Sequence, residues 1–370
     1  MERASNQNSF EKIRILHIID TLGVGGAEKL LISTINNMPE FEHHLIYLAC
    51  PDDLFAEITK ECQVIKLKWH SKFSFIKDVF IIRKYIRRNK IEIVHSHLFI
   101  STIIARLASP SNVKFFTTIH NRPSKSYLKN KPLLRLFEKI TYKRRHKLIA
   151  VSNTVLDDYN ECIGLKGPNI VVNNFIEDKF FRQDIKPLSQ EKKLRLIAVG
   201  NLHYQKNYPY LLDVFKHLPP SISLDIYGWG DMKDQLQKEI DESGLNIRLC
   251  GVRHDIEKVL TNYDAFILAS HYEGQPLVVL EAMASGIPVI LSDISSLREV
   301  TNNQALFFDI DDPSDLRKKL NAVLNREVDL DSIARANLLR AQQIARKEKY
   351  LNELKLLYLE GNNNNPGIDK

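Results

Sequence analysis

No two of the four cysteines, Cys50, Cys62, Cys162 and Cys250, stand at the two-residue gap of zinc or redox motifs, and four in 370 residues do not make a disulfide framework. Reduced, buried thiols are expected. Long apolar runs are missing too: the greasiest stretch, 276–291, is broken by Glu281 and falls short of the roughly 20 residues that span a bilayer. Residues 1–12 are polar, carry both charge signs and lack the apolar run of a secretory signal, so a cytoplasmic protein is expected. Scarcest of all is negative charge between residues 71 and 147, where 19 basic residues face only Asp78, Glu92 and Glu138.

With 44% apolar and 26% charged residues, the chain has the composition of a folded protein rather than a disordered one. Single cores stop growing at about 250–300 residues, so a chain of this length implies two lobes. Short β-branched runs alternate with helical stretches from end to end, the pattern of parallel sheets covered by helices on both faces. Strands are predicted at 13–19, 44–49, 64–67, 91–94, 114–119 and 147–151, and the scheme restarts at 194–199, 224–227, 247–250, 265–269, 288–291 and 305–308. Between them, 173–193 has no clear period and contains Pro187, as an interdomain connection would. The expected division is therefore a first Rossmann-like domain over 1–186 and a second over 187–339. A long, interruptible helix is expected over 330–359, of which 340–360 can return to the first domain, and 361–370, with four consecutive asparagines, reads as a disordered tail.

Ligands of open parallel sheets bind beyond the carboxyl ends of the strands. The unusual residues fall there. The predicted strand 265–269 runs into Ser270-His271-Tyr272-Glu273-Gly274-Gln275-Pro276 and then a helix starting near Leu277, with Glu281 one turn in. A helix start offers free N–H groups and partial positive charge to phosphate. Two carboxylates repel phosphate but accept hydrogen bonds from sugar hydroxyls. A sugar joined to a diphosphate satisfies both demands.

The run from Glu273 through Glu281 to Ile290 resembles the E-x7-E core of glycosyltransferase family 4, and the resemblance extends through Tyr263-Asp264-Ala265-Phe266, Ser292-Asp293 and Arg298-Glu299-Val300. It implies the GT-B fold, two α/β domains with doubly wound parallel sheets facing each other across a cleft, and metal-independent retaining transfer from a nucleoside-diphosphate sugar, by default a UDP sugar. It also implies that Glu273 lies beside the donor sugar and that Glu281 bonds the nucleotide ribose. Val199-Gly200-Asn201-Leu202-His203-Tyr204-Gln205-Lys206-Asn207 is similar to the family's diphosphate loop. Lys206 matches, but Asn201 replaces an arginine and cannot make the charge-assisted, bidentate contact of a guanidinium. Lys206 and the backbone near Gly274, Gln275 and Leu277 must then carry more of the phosphate charge.

Gly23-Val24-Gly25-Gly26-Ala27-Glu28 fails the G-x-G-x-x-G dinucleotide pattern because Glu28 takes the last glycine's place. It resembles instead the family's G-G-A-E loop, which puts Gly25 and Gly26 at the donor phosphate or acceptor. His120, in Thr-Thr-Ile-His-Asn, resembles the family's T-x-H strand end, a histidine held close to the reacting sugar or acceptor. His95 and His97, after the predicted strand 91–94, invite a metal reading, but no carboxylate or cysteine stands beside them at a ligand spacing, so no metal or other cofactor is expected. The implied partners are a nucleotide-sugar donor and a glycan or lipid-linked acceptor. The basic stretch 71–147, with Phe73, Phe75, Ile76, Val79 and Phe80 between its charges, adds an anionic inner-membrane surface, hence a peripheral position. Nucleic-acid binding, the reading that pI 9.0 alone would favour, finds no recognised module. A sugar-nucleotide epimerase of similar fold is the remaining alternative.

Overall fold

The computed structural model describes residues 11–67, 74–187 and 191–360. Among these residues, thirteen strands form two sheets, and every pairing within them is parallel. The first lobe runs β1 (Arg14–Ile19), α1 (Gly26–Asn36), β2 (Glu42–Tyr47), β3 (Gln63–Lys66), α2 (Ser74–Arg88), β4 (Ile93–His97), α3 (Phe99–Ala108), β5 (Lys114–Ile119), α4 (Pro132–Thr141), β6 (His146–Ala150), α5 (Asn153–Cys162) and β7 (Asn169–Val171). The second runs β8 (Leu194–Val199), α6 (Tyr208–Phe215), β9 (Ile222–Tyr227), α7 (Lys233–Ser243), β10 (Ile247–Gly251), α8 (Ile256–Val259), β11 (Ala265–Leu268), α9 (Leu277–Ala284), β12 (Val289–Ser292), α10 (Ser295–Thr301), β13 (Leu306–Phe308) and α11 (Pro313–Leu324). The chain closes with α12 (Leu330–Ile344) and α13 (Lys347–Leu359).

Each sheet is doubly wound. The orders, β3-β2-β1-β4-β5-β6-β7 and β10-β9-β8-β11-β12-β13, reverse direction between β1 and β4 and between β8 and β11. A crevice opens at such a reversal because the loops from the two central strands leave toward opposite faces. Strands buried on both faces read as near-continuous apolar runs, as Ile15–Ile19 and Ala265–Leu268 do, which is why all twelve predicted strands are found, eleven of them within two residues at each end and β4 with its end three residues further on. The thirteenth, β7, is a three-residue edge strand without such a run.

Two expectations are corrected. His95 and His97 lie inside β4 and not after it, because the strand continues three residues past 94. Of the cysteines, Cys62 and Cys162 are buried, whereas Cys250 is half-buried and Cys50 exposed.

The terminal helical stretch breaks at Ala345 and Arg346, where Ile176 N–H donates to the Ala345 carbonyl at 3.1 Å. There the chain crosses back. Tyr350, Leu354, Leu357 and Tyr358 of α13 pack with Ile15, Leu30, Ile93 and Phe116 of the first lobe, while Ala341 and Ile344 of α12 pack in the second. No described helix is long and apolar enough to cross a membrane. Helix α2 buries Ile82 and Ile86 against its own sheet and leaves Ile76 and Phe80 exposed; Phe73 lies outside the described residues.

Candidate active site

The β8 loop and the β11 loop meet at the reversal point of the second sheet. Lys206 Nζ lies 2.7 Å from Glu273 Oε1, and Ser270 Oγ donates to the same oxygen at 2.7 Å. Gln205 Nε2 donates to Glu273 Oε2 at 3.1 Å and to the Tyr272 carbonyl at 2.9 Å. Glu273 is thus a buried carboxylate held by one cation and two neutral donors, an arrangement in which burial of charge is compensated. Sequence reasoning gave Glu273 and Lys206 separate partners; the fold makes them partners of each other. It missed Ser270 and Gln205, although both lie inside the segments it had marked.

Across the cleft stands the end of β5. A Cβ added to Gly274 would sit 2.2 Å from the His120 carbonyl oxygen, so only glycine lets the two lobes approach this closely. Ser152 Oγ donates to the Gly274 carbonyl at 3.2 Å, tying β6's exit to the same loop. His120 is half-buried, and desolvation pushes its pKa down to about 4, so its imidazole is neutral near pH 7. Its Nε2 lies 3.3 Å from His97 Nδ1.

Behind it, histidines line one side of the first sheet. His17 and His95 are cross-strand neighbours on β1 and β4. Ring nitrogens of His17, His95 and His97 fall within 4.8 Å of one another. Both nitrogens of His95 are engaged, with Tyr358 Oη at 2.6 Å and Thr118 Oγ1 at 2.7 Å. His17 Nε2 faces His43 Nδ1 at 3.1 Å. Burial holds all three rings well below the usual histidine pKa.

The helix starts converge as well. Gly25 is the N-cap of α1 and Gly26 its first residue, and a Cβ on Gly26 would lie 3.4 Å from Leu277 Cδ1 at the start of α9. Pro276 is the N-cap of α9 in extended conformation, so the helix begins at Leu277. The starts of both helices therefore face one another, with the Glu28 carboxylate lying beside Gly25 at the start of α1. Glu281, one turn into α9, is half-buried; desolvation raises its pKa to about 7, against the opposing pull of Lys29 and Lys179. Asn201 is exposed at the mouth of the β8 loop.

Gln275 is placed differently from the other marked residues. Its Oε1 accepts from Asn174 N–H at 2.5 Å and its Nε2 donates to Asn173 Oδ1 at 2.5 Å, so its amide is spent on the connection between the lobes. A second bridge was invisible in the sequence: Glu299 of α10 accepts from Asn153 and Thr154 backbone N–H at 2.7 and 2.8 Å and from both side chains, capping α5 of the opposite lobe.

A two-lobed α/β protein whose cleft joins the reversal points of two parallel sheets has the GT-B architecture. In agreement, HepE from Anabaena in complex with UDP and glucose superposes with a TM-score of 0.78 over 94% of this chain and 99% of that one, at 15% identity. Residues 24–180 match the model of Glycosyltransferase Family 4 and residues 179–341 that of Glycosyl transferases group 1. The chain is 24% identical over 331 residues to a GalNAc-alpha-(1->4)-GalNAc-alpha-(1->3)-diNAcBac-PP-undecaprenol alpha-1,4-N-acetyl-D-galactosaminyltransferase of Campylobacter jejuni, covering 85% of this chain and 90% of that one. It is 26% identical over 334 residues to a UDP-Gal:alpha-D-GlcNAc-diphosphoundecaprenol alpha-1,3-galactosyltransferase of Escherichia coli, covering 80% and 84%. The two family models meet between the lobes, and the protein is a glycosyltransferase of the family 4 type.

Proposed function

We propose that the protein transfers a hexosyl or N-acetylhexosaminyl group from a nucleoside-diphosphate sugar, by default a UDP sugar, to a glycan or lipid-linked acceptor in surface polysaccharide synthesis, with retention of anomeric configuration and without a metal ion. The observation that carries this reading is the Lys206–Glu273 pair at the sheet reversal, with the His120 strand end against Gly274. The undecaprenol-linked substrates in the names of both relatives support the acceptor class.

In this reading Lys206 turns from Glu273 toward the donor diphosphate, where the starts of α1 and α9 supply further positive potential. Asn201 adds a neutral donor. Glu281 accepts from the ribose hydroxyls. As the bond between the anomeric carbon and the diphosphate oxygen breaks, positive charge develops on the sugar, and Glu273, released from its cation, stabilises it. The acceptor hydroxyl oxygen forms the new bond on the same face, its proton passes to the departing diphosphate, and a nucleoside diphosphate leaves. With its Nε2 facing His97, neutral His120 keeps Nδ1 for one hydrogen bond with a sugar hydroxyl.

Calorimetry with a panel of nucleotide sugars in the presence of a chelator, followed by turnover on lipid-linked and soluble acceptors, tests the reading. Glu281→Ala is expected to weaken donor binding and Glu273→Ala to slow transfer by about 100-fold or more at nearly unchanged affinity. Unchanged binding and rate in both variants would sink the assignment. Conversion of the sugar nucleotide with no acceptor present would mark an epimerase instead.

A further inference from the structure

Helix α4 meets the core with Leu134, Glu138 and Thr141 and leaves its most apolar face outside. Glu138 and Thr141 are buried, while Leu133, Leu136, Phe137 and Ile140 are 70, 52, 54 and 64% exposed. Those four fall at i, i+3, i+4 and i+7, a continuous apolar stripe along one face. The inversion has a cause in the core. Arg106 of α3 is buried beneath α4, and its Nη1 meets Glu138 Oε1 at 2.7 Å, where Tyr159 Oη also donates at 2.7 Å. Compensating a buried guanidinium turns the helix so that its apolar stripe faces out.

Scattered surface apolar residues are ordinary; a contiguous stripe is not. Beside this one lie the exposed bases Lys131, Arg135, Lys139, Lys143 and Arg144, and the stretch from 121 to 147 holds a single acid, the buried Glu138. An outward apolar stripe with a basic flank matches a surface that is negatively charged outside and apolar just beneath. Helix α2, which packs on α3 as α4 does, adds exposed Ile76 and Phe80. We infer that α4 is a docking helix for an anionic lipid bilayer, lying in the interface with Leu133, Leu136, Phe137 and Ile140 inserted and the basic side chains at the headgroups.

The position of α4 gives this docking a consequence. The helix follows β5, so the segment from His120 to Lys131 joins the cleft to the membrane face. Within it, Lys129 Nζ lies 5.8 Å from the centre of the Tyr204 ring, which stacks on His271 at 4.6 Å, next to the Lys206–Glu273 loops. A bilayer under α4 therefore borders the mouth of the cleft. This inference goes beyond the proposed chemistry: vesicle binding needs no transfer, and transfer to a soluble acceptor needs no vesicle, so either can fail alone.

The test is co-sedimentation of the full chain with phosphatidylglycerol–phosphatidylcholine vesicles and with phosphatidylcholine alone, at low and high salt. Binding is expected only with the anionic vesicles, falling with salt. Leu133→Gln/Phe137→Gln/Ile140→Gln should reduce the vesicle-bound fraction at least about tenfold with the melting temperature and donor binding unchanged. Arg135→Glu/Lys139→Glu leaves the stripe intact and should lose anionic binding to a similar degree, keeping the inference testable if the triple variant folds poorly. Wild-type protein that stays in the supernatant, or a folded triple variant that binds as well as wild type, overturns it. So does a wild-type dimer, seen by sedimentation, that the triple variant dissociates without vesicle binding in either; the stripe is then a contact between copies of this chain.

Discussion

Among the described residues, a carboxylate–cation pair at 2.7 Å stands in each lobe, Arg106–Glu138 in the first and Lys206–Glu273 in the second, and the two are set differently. Arg106 and Glu138 side chains are 0 and 1% exposed, sealed between α3, α4 and α5, and cannot exchange partners. Lys206 and Glu273 are 14 and 7% exposed at the end of β11, where a diphosphate could take the lysine and a sugar the carboxylate. The same geometry is a fixed brace where the chain closes over it and, in the proposed function, an exchangeable pair where the chain leaves it accessible. What separates them is access, not bond length.

The sharpest way to break the comparison is to remove one acid. Glu138→Ala strands a buried guanidinium and should cost about 3–5 kcal/mol of stability, read as a lowered denaturant midpoint. A loss below about 1 kcal/mol would mean that the brace is not structural and that α4's inversion needs another cause.

A comparable effect is expected from Glu281, a half-buried acid of the second lobe whose pKa burial drives up. Its folded pKa of about 7 lies above the usual carboxylate value, so the folded state holds the proton more tightly than the unfolded chain. Stability is then highest below about pH 4.5 as far as this group is concerned, falls as pH rises toward 7 and is constant above, by at most about 3 kcal/mol. Glu281→Gln should remove that slope and raise the melting temperature at pH 8; equal pH profiles for variant and wild type would refute the assigned burial.

Next comes the contact between lobes. Gly274→Ala places a methyl against the His120 carbonyl and should slow transfer by about 100-fold through misplacement, a larger loss than in donor affinity. Equal losses in affinity and rate would place His120 outside the reacting geometry. The smallest effect is expected at Glu299, whose removal frees the α5 N-terminus. Glu299→Ala should lower stability by about 1–2 kcal/mol and widen the small-angle scattering envelope in solution. An unchanged envelope would show that the other contacts, those of α13, Gln275 and Ser152 among them, hold the lobes together without it.

Much of this was legible in the sequence. Buried parallel strands announce themselves as apolar runs, and loops at strand ends carry polar residues in contiguous motifs, so Glu273, Glu281, Lys206 and the glycines could be marked before their positions were known. Gln275 was marked as well, yet its amide serves Asn173 and Asn174, a pairing about a hundred residues distant that no local pattern encodes. β7 and the true end of β4 were missed because short or histidine-bearing strands lack the apolar signature. In α4 the amphipathic period was present, but its direction was not: a pattern at 3.6 residues gives two faces without saying which is inside.

The sequence by itself determined two doubly wound sheets and the strand-end loops of the candidate site, because periodicity and local motifs are properties of neighbouring residues. The tertiary structure alone decided which groups meet. It set Lys206 on Glu273, Glu299 on the start of α5 and Gly274 against His120, and it turned the apolar stripe of α4 outward over a buried arginine. These depend on residues far apart in the chain being brought within hydrogen-bond reach, and on which charges the closed core can compensate.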